Sequence, residues 1–220
     1  NVRRGFRIRP RKVDIRVGRP MSFPQSEQPS PALAASVTSR IWPNIELQWE
    51  DIGGLPPMRR AAVIGAGSWG TAVAVLLARG GLEVQLGTRT PDQAEAIATA
   101  RENERYLPGV RLPEAIEVRP SSQIELAGID LVCLAVPSAS YPQAVGALSD
   151  RIGRRAAILL LAKGLIAPKG QLPSEYVTER IKSRGISCLG GPAHAREAVS
   201  GSAALVLGTS DEDLKAQLGN

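Results

Sequence analysis

The sequence predicts an α/β fold with a doubly wound, mostly parallel sheet, and three observations predict it. Short apolar runs alternate with helical segments from about residue 58 onward, which is typical of a parallel sheet with helices on both faces. The runs are apolar throughout rather than alternating, as in strands that are buried on both faces. A glycine-rich turn also joins the first run to the first helix.

That turn has the spacing G-x-G-x-x-G at Gly65, Gly67 and Gly70. In a dinucleotide-binding turn the first glycine permits a tight bend, the second lets the backbone approach a diphosphate, and the third lets the helix pack on the strand. The helix N-terminus adds unpaired N–H groups and partial positive charge. A glycine turn without a ligand is the alternative, but the flanking strand and helix favour a Rossmann-type dinucleotide site.

The apolar runs and turn signals place each remaining element. Strands are predicted at 60–64, 83–88, 115–119, 130–136, 156–162, 186–190 and 203–207, and helices at 68–79, 91–104, 139–150, 173–184, 192–199 and from about 211. Cys133 and Cys188 fall inside predicted buried strands, so we interpret both as small apolar core residues in a reducing compartment. We assign no metal site.

Residues 1–57 differ from the rest of the chain. They contain eight of the seventeen prolines, and the first twenty residues carry eight basic side chains against one acid. We expect a disordered or only locally structured leader. It has no apolar segment typical of a secretory signal, and no run in the chain is long enough to span a membrane.

Several interpretations of this leader compete. A basic arm can bind nucleic acid or an anionic membrane surface, and an Arg-rich, acid-poor N-terminus is also typical of an organellar transit peptide. Met58 stands just before the first predicted strand. We therefore favour a third hypothesis, that residues 1–57 are upstream translation attached to a protein that begins at Met58, and we do not assign nucleic-acid binding to the chain. The remaining domain is then 58–220.

The second predicted strand ends at Thr88, and Arg89 follows it. NAD-preferring folds carry an acid at this point, about twenty residues past the glycines, to hold the ribose hydroxyls. An arginine can instead pair with a 2′-phosphate, which favours NADP(H) or tolerance of both cofactors. A solvated arginine without a ligand is the alternative.

Several separated elements together resemble one enzyme family, the bacterial NAD(P)-dependent sn-glycerol-3-phosphate dehydrogenases. They occur in this order: Gly65-Ala66-Gly67-Ser68-Trp69-Gly70-Thr71-Ala72, Asn103 with Tyr106-Leu107-Pro108-Gly109 and Leu112-Pro113, Val136-Pro137-Ser138, Lys163-Gly164-Leu165, and Gly191-Pro192 with Ala195 and Glu197. The resemblance implies reduction of dihydroxyacetone phosphate to sn-glycerol 3-phosphate, a phospholipid precursor, by NADPH or NADH. It also implies a cytoplasmic enzyme that is a homodimer at full length.

The resemblance further implies roles for individual residues. Cofactor contacts are expected at Ser68, Trp69, Arg89, Lys163 and Ala195, and substrate contacts at Lys163, Gly191 and Ala193. Strand positions independently support the role of Lys163 and add Pro137 to the expected cofactor contacts. Lys163 follows a predicted strand at the sheet edge where ligands bind, and a lysine there can attract a phosphate or polarise a ketone. Pro137 ends the neighbouring strand and is expected to shape the cofactor crevice.

The sequence departs from the family pattern at three points. Ala193 replaces a small hydroxyl residue, so one substrate hydrogen bond is expected to be missing. His194, the single histidine, is interpreted as a bystander. The family's acid–base lysine belongs to a helical domain that we expect to lie beyond Asn220. We therefore assign no catalytic residue and expect this chain to bind cofactor but turn over poorly.

Two alternatives stay open at this point. One is another Rossmann dehydrogenase, of the 6-phosphogluconate, ketopantoate or hydroxyacid type, against which the Tyr106–Gly109 and Lys163–Leu165 elements argue. The other is a non-catalytic dinucleotide-binding module with a basic tail.

Overall fold

The structure, a computed structural model, describes residues 20–23, 30–51 and 57–218. The chain divides into two compact units, Asn1–Pro57 and Met58–Asn220. Among the described residues, no helix combines the length and the apolar character needed to cross a membrane.

The first unit contains a helix that the sequence analysis did not predict, α1 (Pro31–Asp51). The Ser30 hydroxyl accepts a hydrogen bond from the Leu33 N–H at 3.1 Å, and Pro31 occupies the first helical position, a standard helix start. Within a leader that we expected to be disordered or only locally structured, α1 is a local element, and the averaged composition of the leader concealed its start signal. Residues 1–19, 24–29 and 52–56 lie outside the described part of the chain, and the expectation stays a prediction there.

The second unit is a seven-stranded sheet in the order β3-β2-β1-β4-β5-β6-β7. Its strands are β1 (Arg60–Ile64), β2 (Glu83–Thr88), β3 (Ile116–Pro120), β4 (Leu131–Leu134), β5 (Ala157–Leu160), β6 (Gly185–Gly190) and β7 (Val206–Thr209). All neighbouring pairs are parallel except β6 and β7, which pair antiparallel. The predicted doubly wound, mostly parallel sheet is confirmed.

The helices of this unit are α2 (Ser68–Arg79), α3 (Pro91–Ala100), α4 (Tyr141–Leu148), α5 (Pro173–Thr178), α6 (Ala195–Ser200) and α7 (Glu212–Leu218). Helix α3 ends four residues before its predicted end. Arg101 adopts a left-handed conformation with φ 51°, and its guanidinium donates to the backbone carbonyls of Ile116 and Leu112. These bonds hold the chain out of the helix. Helix α5 is likewise shorter than predicted.

The sheet buries apolar side chains on both faces. Ala61, Val63 and Leu131 belong to one core cluster, whereas Ala62 and Ile64 belong to the other. All five side chains are at most 4% exposed. This two-sided burial explains why β1 is apolar at successive positions rather than at alternate ones.

The two cysteines differ in their environments. Cys133 in β4 is fully buried, as predicted. Cys188 in β6 is exposed, so its assignment to the core is wrong. Ile186, on the same face of β6, packs on the core cluster that contains Val177 of α5, but Cys188 lies two residues nearer the strand end and outside that cluster. Membership of a strand does not decide whether a helix covers the residue.

We predict that Cys188, but not Cys133, reacts with an alkylating reagent in the native protein. Partial burial raises the pKa of Cys188 above its usual value, so at a given pH it carries less thiolate and reacts more slowly than free cysteine. The rate should continue to rise with pH beyond the point at which free cysteine saturates. Mass spectrometry of alkylated wild type and Cys188→Ser checks this. Native labelling of Cys133 would contradict it.

Candidate dinucleotide-binding site

The glycine turn between β1 and α2 is closed by two contacts that exclude side chains. Gly65 has φ +113°, and a Cβ placed there would lie 2.7 Å from the Ala135 carbonyl oxygen. A Cβ on Gly70 would lie 1.8 Å from the Gly65 carbonyl oxygen. The first turn of α2 therefore rests directly on the backbone of the turn, which requires glycine at both positions.

Gly67 faces the open side of the same turn. A Cβ placed there would meet no atom within 4 Å, so this glycine is required by no packing contact within the protein. Gly67 is the N-cap of α2 and supplies no side-chain acceptor to the helix end. Within the part of the chain that the structure describes, the first N–H groups of α2 are thus left for an external acceptor. An anionic group such as a diphosphate fits this cradle by charge and hydrogen bonding.

The turn opens onto a crevice of about 1280 Å³. Its walls come from the glycine turn, the loop after β2, the end of β4, and faces of α3 and α4. Among the predicted site residues, Gly65, Gly67, Arg89 and Pro137 line it. The crevice lies where β1 has β2 on one side and β4 on the other, which is the switch point at which open α/β sheets bind ligands.

Arg89 lies at the tip of β2 with an exposed side chain. Its backbone N–H donates to Gln93 Oε1 at 3.3 Å, which fixes the start of the loop and leaves the guanidinium at the crevice wall. Ser121 and Ser122 line the same crevice, and the sequence analysis missed them. The available signal was their position directly after a parallel strand, at the carboxyl edge of the sheet.

Three further predicted residues form a second cluster. Lys163 Nζ donates to the Gly191 carbonyl oxygen at 3.4 Å and lies 5.2 Å from the centroid of the Trp69 ring. This distance is within the range of a cation–π contact. Trp69 is the second residue of α2, so this contact links the end of the glycine turn to the lysine that follows β5.

The backbone conformation at position 191 requires glycine. Its φ is +133°, and a Cβ there would lie 2.8 Å from the Ala204 carbonyl oxygen. Ala193 and Ala195 are nearby in sequence, but their side chains are 6% and 8% exposed. The methyl group of Ala195 packs in the core, so a ligand contact at these two positions would have to use mainly the backbone.

His194 is the N-cap of helix α6 and does not join either cluster in the contacts observed. Its backbone N–H donates to Glu197 Oε2 at 3.0 Å, which is a capping contact at the helix start. The geometry thus gives His194 a local structural role, in line with the bystander interpretation.

Asn103 is a residue to which the sequence analysis assigned no role. It is 2% exposed, and its side-chain amide donates to the Ala66 carbonyl oxygen at 3.0 Å and to Thr71 Oγ1 at 2.8 Å. Both acceptors belong to the glycine turn and the helix after it. A sequence pattern does not distinguish such a buried asparagine from one on a surface loop.

A glycine turn at the switch point of a parallel sheet, with an uncapped helix end facing a crevice, defines a Rossmann-class dinucleotide-binding domain. The chain belongs to the family described as NAD-dependent glycerol-3-phosphate dehydrogenase N-terminus, whose sequence model matches residues 60–215. The resemblance inferred from the separated sequence elements is thereby confirmed.

Curated relatives agree with this assignment. The chain is 40% identical over 139 residues to the glycerol-3-phosphate dehydrogenase [NAD(P)+] of Chlorobium limicola, covering 62% of this chain and 42% of the relative. It is 42% identical over 155 residues to the enzyme of the same name from Deinococcus radiodurans, covering 70% and 45%. The chain therefore spans less than half the length of these relatives.

Solved structures of similar proteins show the same fold. A crystal structure of glycerol-3-phosphate dehydrogenase from Coxiella burnetii matches with a TM-score of 0.68 and 27% identity, over 73% of this chain and 50% of that one. The structure of the Plasmodium falciparum glycerol-3-phosphate dehydrogenase matches with a TM-score of 0.65 and 23% identity, over 73% and 48%. The second likeness concerns the fold alone.

We predict that Gly70→Ala strongly destabilises the second unit, because the added methyl group collides with the Gly65 carbonyl oxygen. The free energy of unfolding should fall by about 3 kcal/mol or more, as for other overpacked or strained sites. Gly146→Ala is the matched control. A Cβ at Gly146, inside α4, meets no atom within 4 Å, so this change should stabilise by up to about 1 kcal/mol. Denaturant unfolding measures both, and equal effects would contradict the packing argument.

Proposed function

We propose that this chain is the cofactor-binding part of an enzyme that reduces dihydroxyacetone phosphate to sn-glycerol 3-phosphate with NADPH or NADH. The observation that carries the proposal is the contact of Lys163 with Trp69 at 5.2 Å. In this contact, a lysine that would suit a phosphorylated ketone lies beside the residue that follows the proposed diphosphate cradle. The family to which the chain belongs supports the same reaction.

The described residues would supply contacts for two parts of the cofactor, its diphosphate and its 2′-phosphate. Gly65, Gly67 and the N-terminus of α2 would hold the diphosphate through backbone N–H groups. Arg89 would pair with a 2′-phosphate, with Ser121 and Ser122 on the same wall of the crevice. Pro137 shapes the wall after β4. When bound, the nicotinamide supplies a hydride to the ketone carbon, and a proton from an acid or water completes the alcohol.

Lys163 would act on the substrate through its charge. Its side chain is exposed, and it lies at the carboxyl end of β5, beside the turn that holds the cofactor. An ammonium group at this point attracts the phosphate dianion of the substrate or stabilises the negative charge that develops on the ketone oxygen. The Gly191 carbonyl and the Trp69 ring restrict where this group can lie.

We expect Arg89→Ala to weaken NADPH binding by about ten- to a hundredfold, because a charge-assisted contact with the 2′-phosphate is lost. NADH has no such phosphate, and its dissociation constant should change by no more than about twofold. The control is Arg111→Ala, which removes an exposed arginine paired with Glu114 and absent from the crevice lining. Calorimetric titration with both cofactors measures these dissociation constants. Equal losses of affinity for NADPH and NADH would contradict the role proposed for Arg89.

The reaction class is tested by ligand binding to the chain itself. Trp42→Phe and Trp49→Phe together leave Trp69 as the single tryptophan of the three in the sequence, so its fluorescence reports on the cradle. NADPH should quench this signal, and dihydroxyacetone phosphate should change it further in the presence of NADP⁺. Lys163→Met should weaken the response to dihydroxyacetone phosphate by about tenfold or more, and more than the response to NADPH.

Two comparisons make this test selective. Lys169→Met changes an exposed lysine of the same loop that does not contact Trp69 in the structure, and it should leave both responses intact. Ketopantoate should give no saturable response. If NADPH does not bind, the cofactor proposal fails; if ketopantoate binds as well as dihydroxyacetone phosphate, the substrate assignment fails.

A further inference from the structure

The amide of Asn103 uses both of its hydrogens on the glycine turn. One bond goes to the carbonyl oxygen of Ala66, between the first two glycines, at 3.0 Å. The other goes to Oγ1 of Thr71 at 2.8 Å, one residue after the third glycine. Asn103 and Thr71 are 2% and 0% exposed, so water does not compete for these bonds.

These two acceptors stand on either side of the first N–H groups of α2. The Thr71 N–H donates to the Gly67 carbonyl oxygen at 2.9 Å, which closes the first helical turn. The Asn103 amide therefore ties the bend of the turn to the start of the helix. The link therefore restrains the segment that carries these N–H groups at a point where the turn is open, since a Cβ placed on Gly67 would meet no atom within 4 Å.

The backbone of Asn103 is equally constrained. Its carbonyl oxygen accepts from the N–H groups of Tyr106 at 3.1 Å and Leu107 at 2.8 Å. The loop that follows is fastened to α6 by Arg196, which donates to the Pro108 carbonyl oxygen at 2.6 Å. Leu107 is buried at 3% exposure. The backbone that carries the amide is thus restrained by hydrogen bonds and by the burial of Leu107.

We infer that Asn103 is a positioning residue, which aims the backbone N–H groups of the α2 N-terminus at the diphosphate of the cofactor. This inference rests on the proposed function. It requires an amide specifically, because the site offers two acceptors and an amide nitrogen supplies two donors. An aspartate would have no N–H, and its carboxylate would face the Ala66 carbonyl oxygen.

The test compares two ligands on the full chain by calorimetry. NADPH contains the diphosphate bridge, whereas adenosine 2′-monophosphate carries the adenosine and the 2′-phosphate with no 5′-phosphate. Asn103→Asp should weaken NADPH binding by about tenfold or more and the monophosphate by no more than about twofold. Thr71→Val, which removes one acceptor in a side chain of similar shape, should weaken NADPH selectively by a smaller factor. Thr71→Ser keeps the hydroxyl and should restore wild-type affinity.

Ile158→Val is the control for a general loss of stability, because Ile158 is fully buried in β5 in the core cluster that contains neither Asn103 nor Thr71. It should leave both affinities unchanged. Equal loss of both ligands in the Asn103 and Thr71 variants, or unchanged NADPH affinity in variants that fold, overturns the positioning role. If Asn103→Asp does not fold, the comparison of NADPH affinity between Thr71→Val and Thr71→Ser tests the same positioning role. Wild-type protein that binds no NADPH overturns the proposed function as well, so the two failures are distinguishable.

Discussion

The contact between Gly70 and the Gly65 carbonyl oxygen is the constraint on which the candidate site depends. With no Cβ at either position, the first turn of α2 lies directly on the backbone that leaves β1. This contact sets how closely the start of the helix approaches the turn, and the Asn103 amide adds a second restraint on the same segment. Each added atom would push the helix outward, and the crevice between β1 and β4 would lose the wall that carries its hydrogen-bond donors.

The positive charge of this chain is concentrated in its first twenty residues. The formal net charge is +6, but these twenty residues account for +7, so the remainder sums to about −1. Within the second unit, attraction for an anionic ligand therefore comes from local groups. The uncapped end of α2 and Arg89 at the crevice, and Lys163 in the neighbouring cluster, act over short distances, where the field of a few oriented groups outweighs net charge.

The sequence analysis was accurate where the residues of a segment themselves restrict its backbone. The limits of β1, α2 and β2 match the predicted ranges, because a buried apolar run, a glycine turn and a helix-ending glycine each restrict the backbone directly. It also brought Gly65, Gly67, Arg89 and Pro137 to the same crevice, since the carboxyl ends of parallel strands share an edge.

It failed where the outcome depends on contacts between distant parts of the chain. Cys188 lies in a strand as predicted, but the face it occupies is not covered at that point. The early end of α3 reflects Arg101, whose bonds go to carbonyls more than ten residues away. Asn103 gives no local signal at all, because its acceptors lie more than thirty residues earlier in the chain.

In the proposed site, backbone groups and side chains would have different roles. A diphosphate held by glycine N–H groups is held in the same way whatever nucleotide carries it, since these groups contact neither the base nor the reacting ring. Selectivity must then come from side chains at the strand tips, and the described residues place Arg89 and Ser121 on one side and Lys163 on the other. The backbone cradle and the selective side chains meet at Trp69, which begins in the first turn of α2 and ends under the Lys163 ammonium group. The Trp69 ring is thus the described contact that connects the glycine turn with the Lys163 cluster.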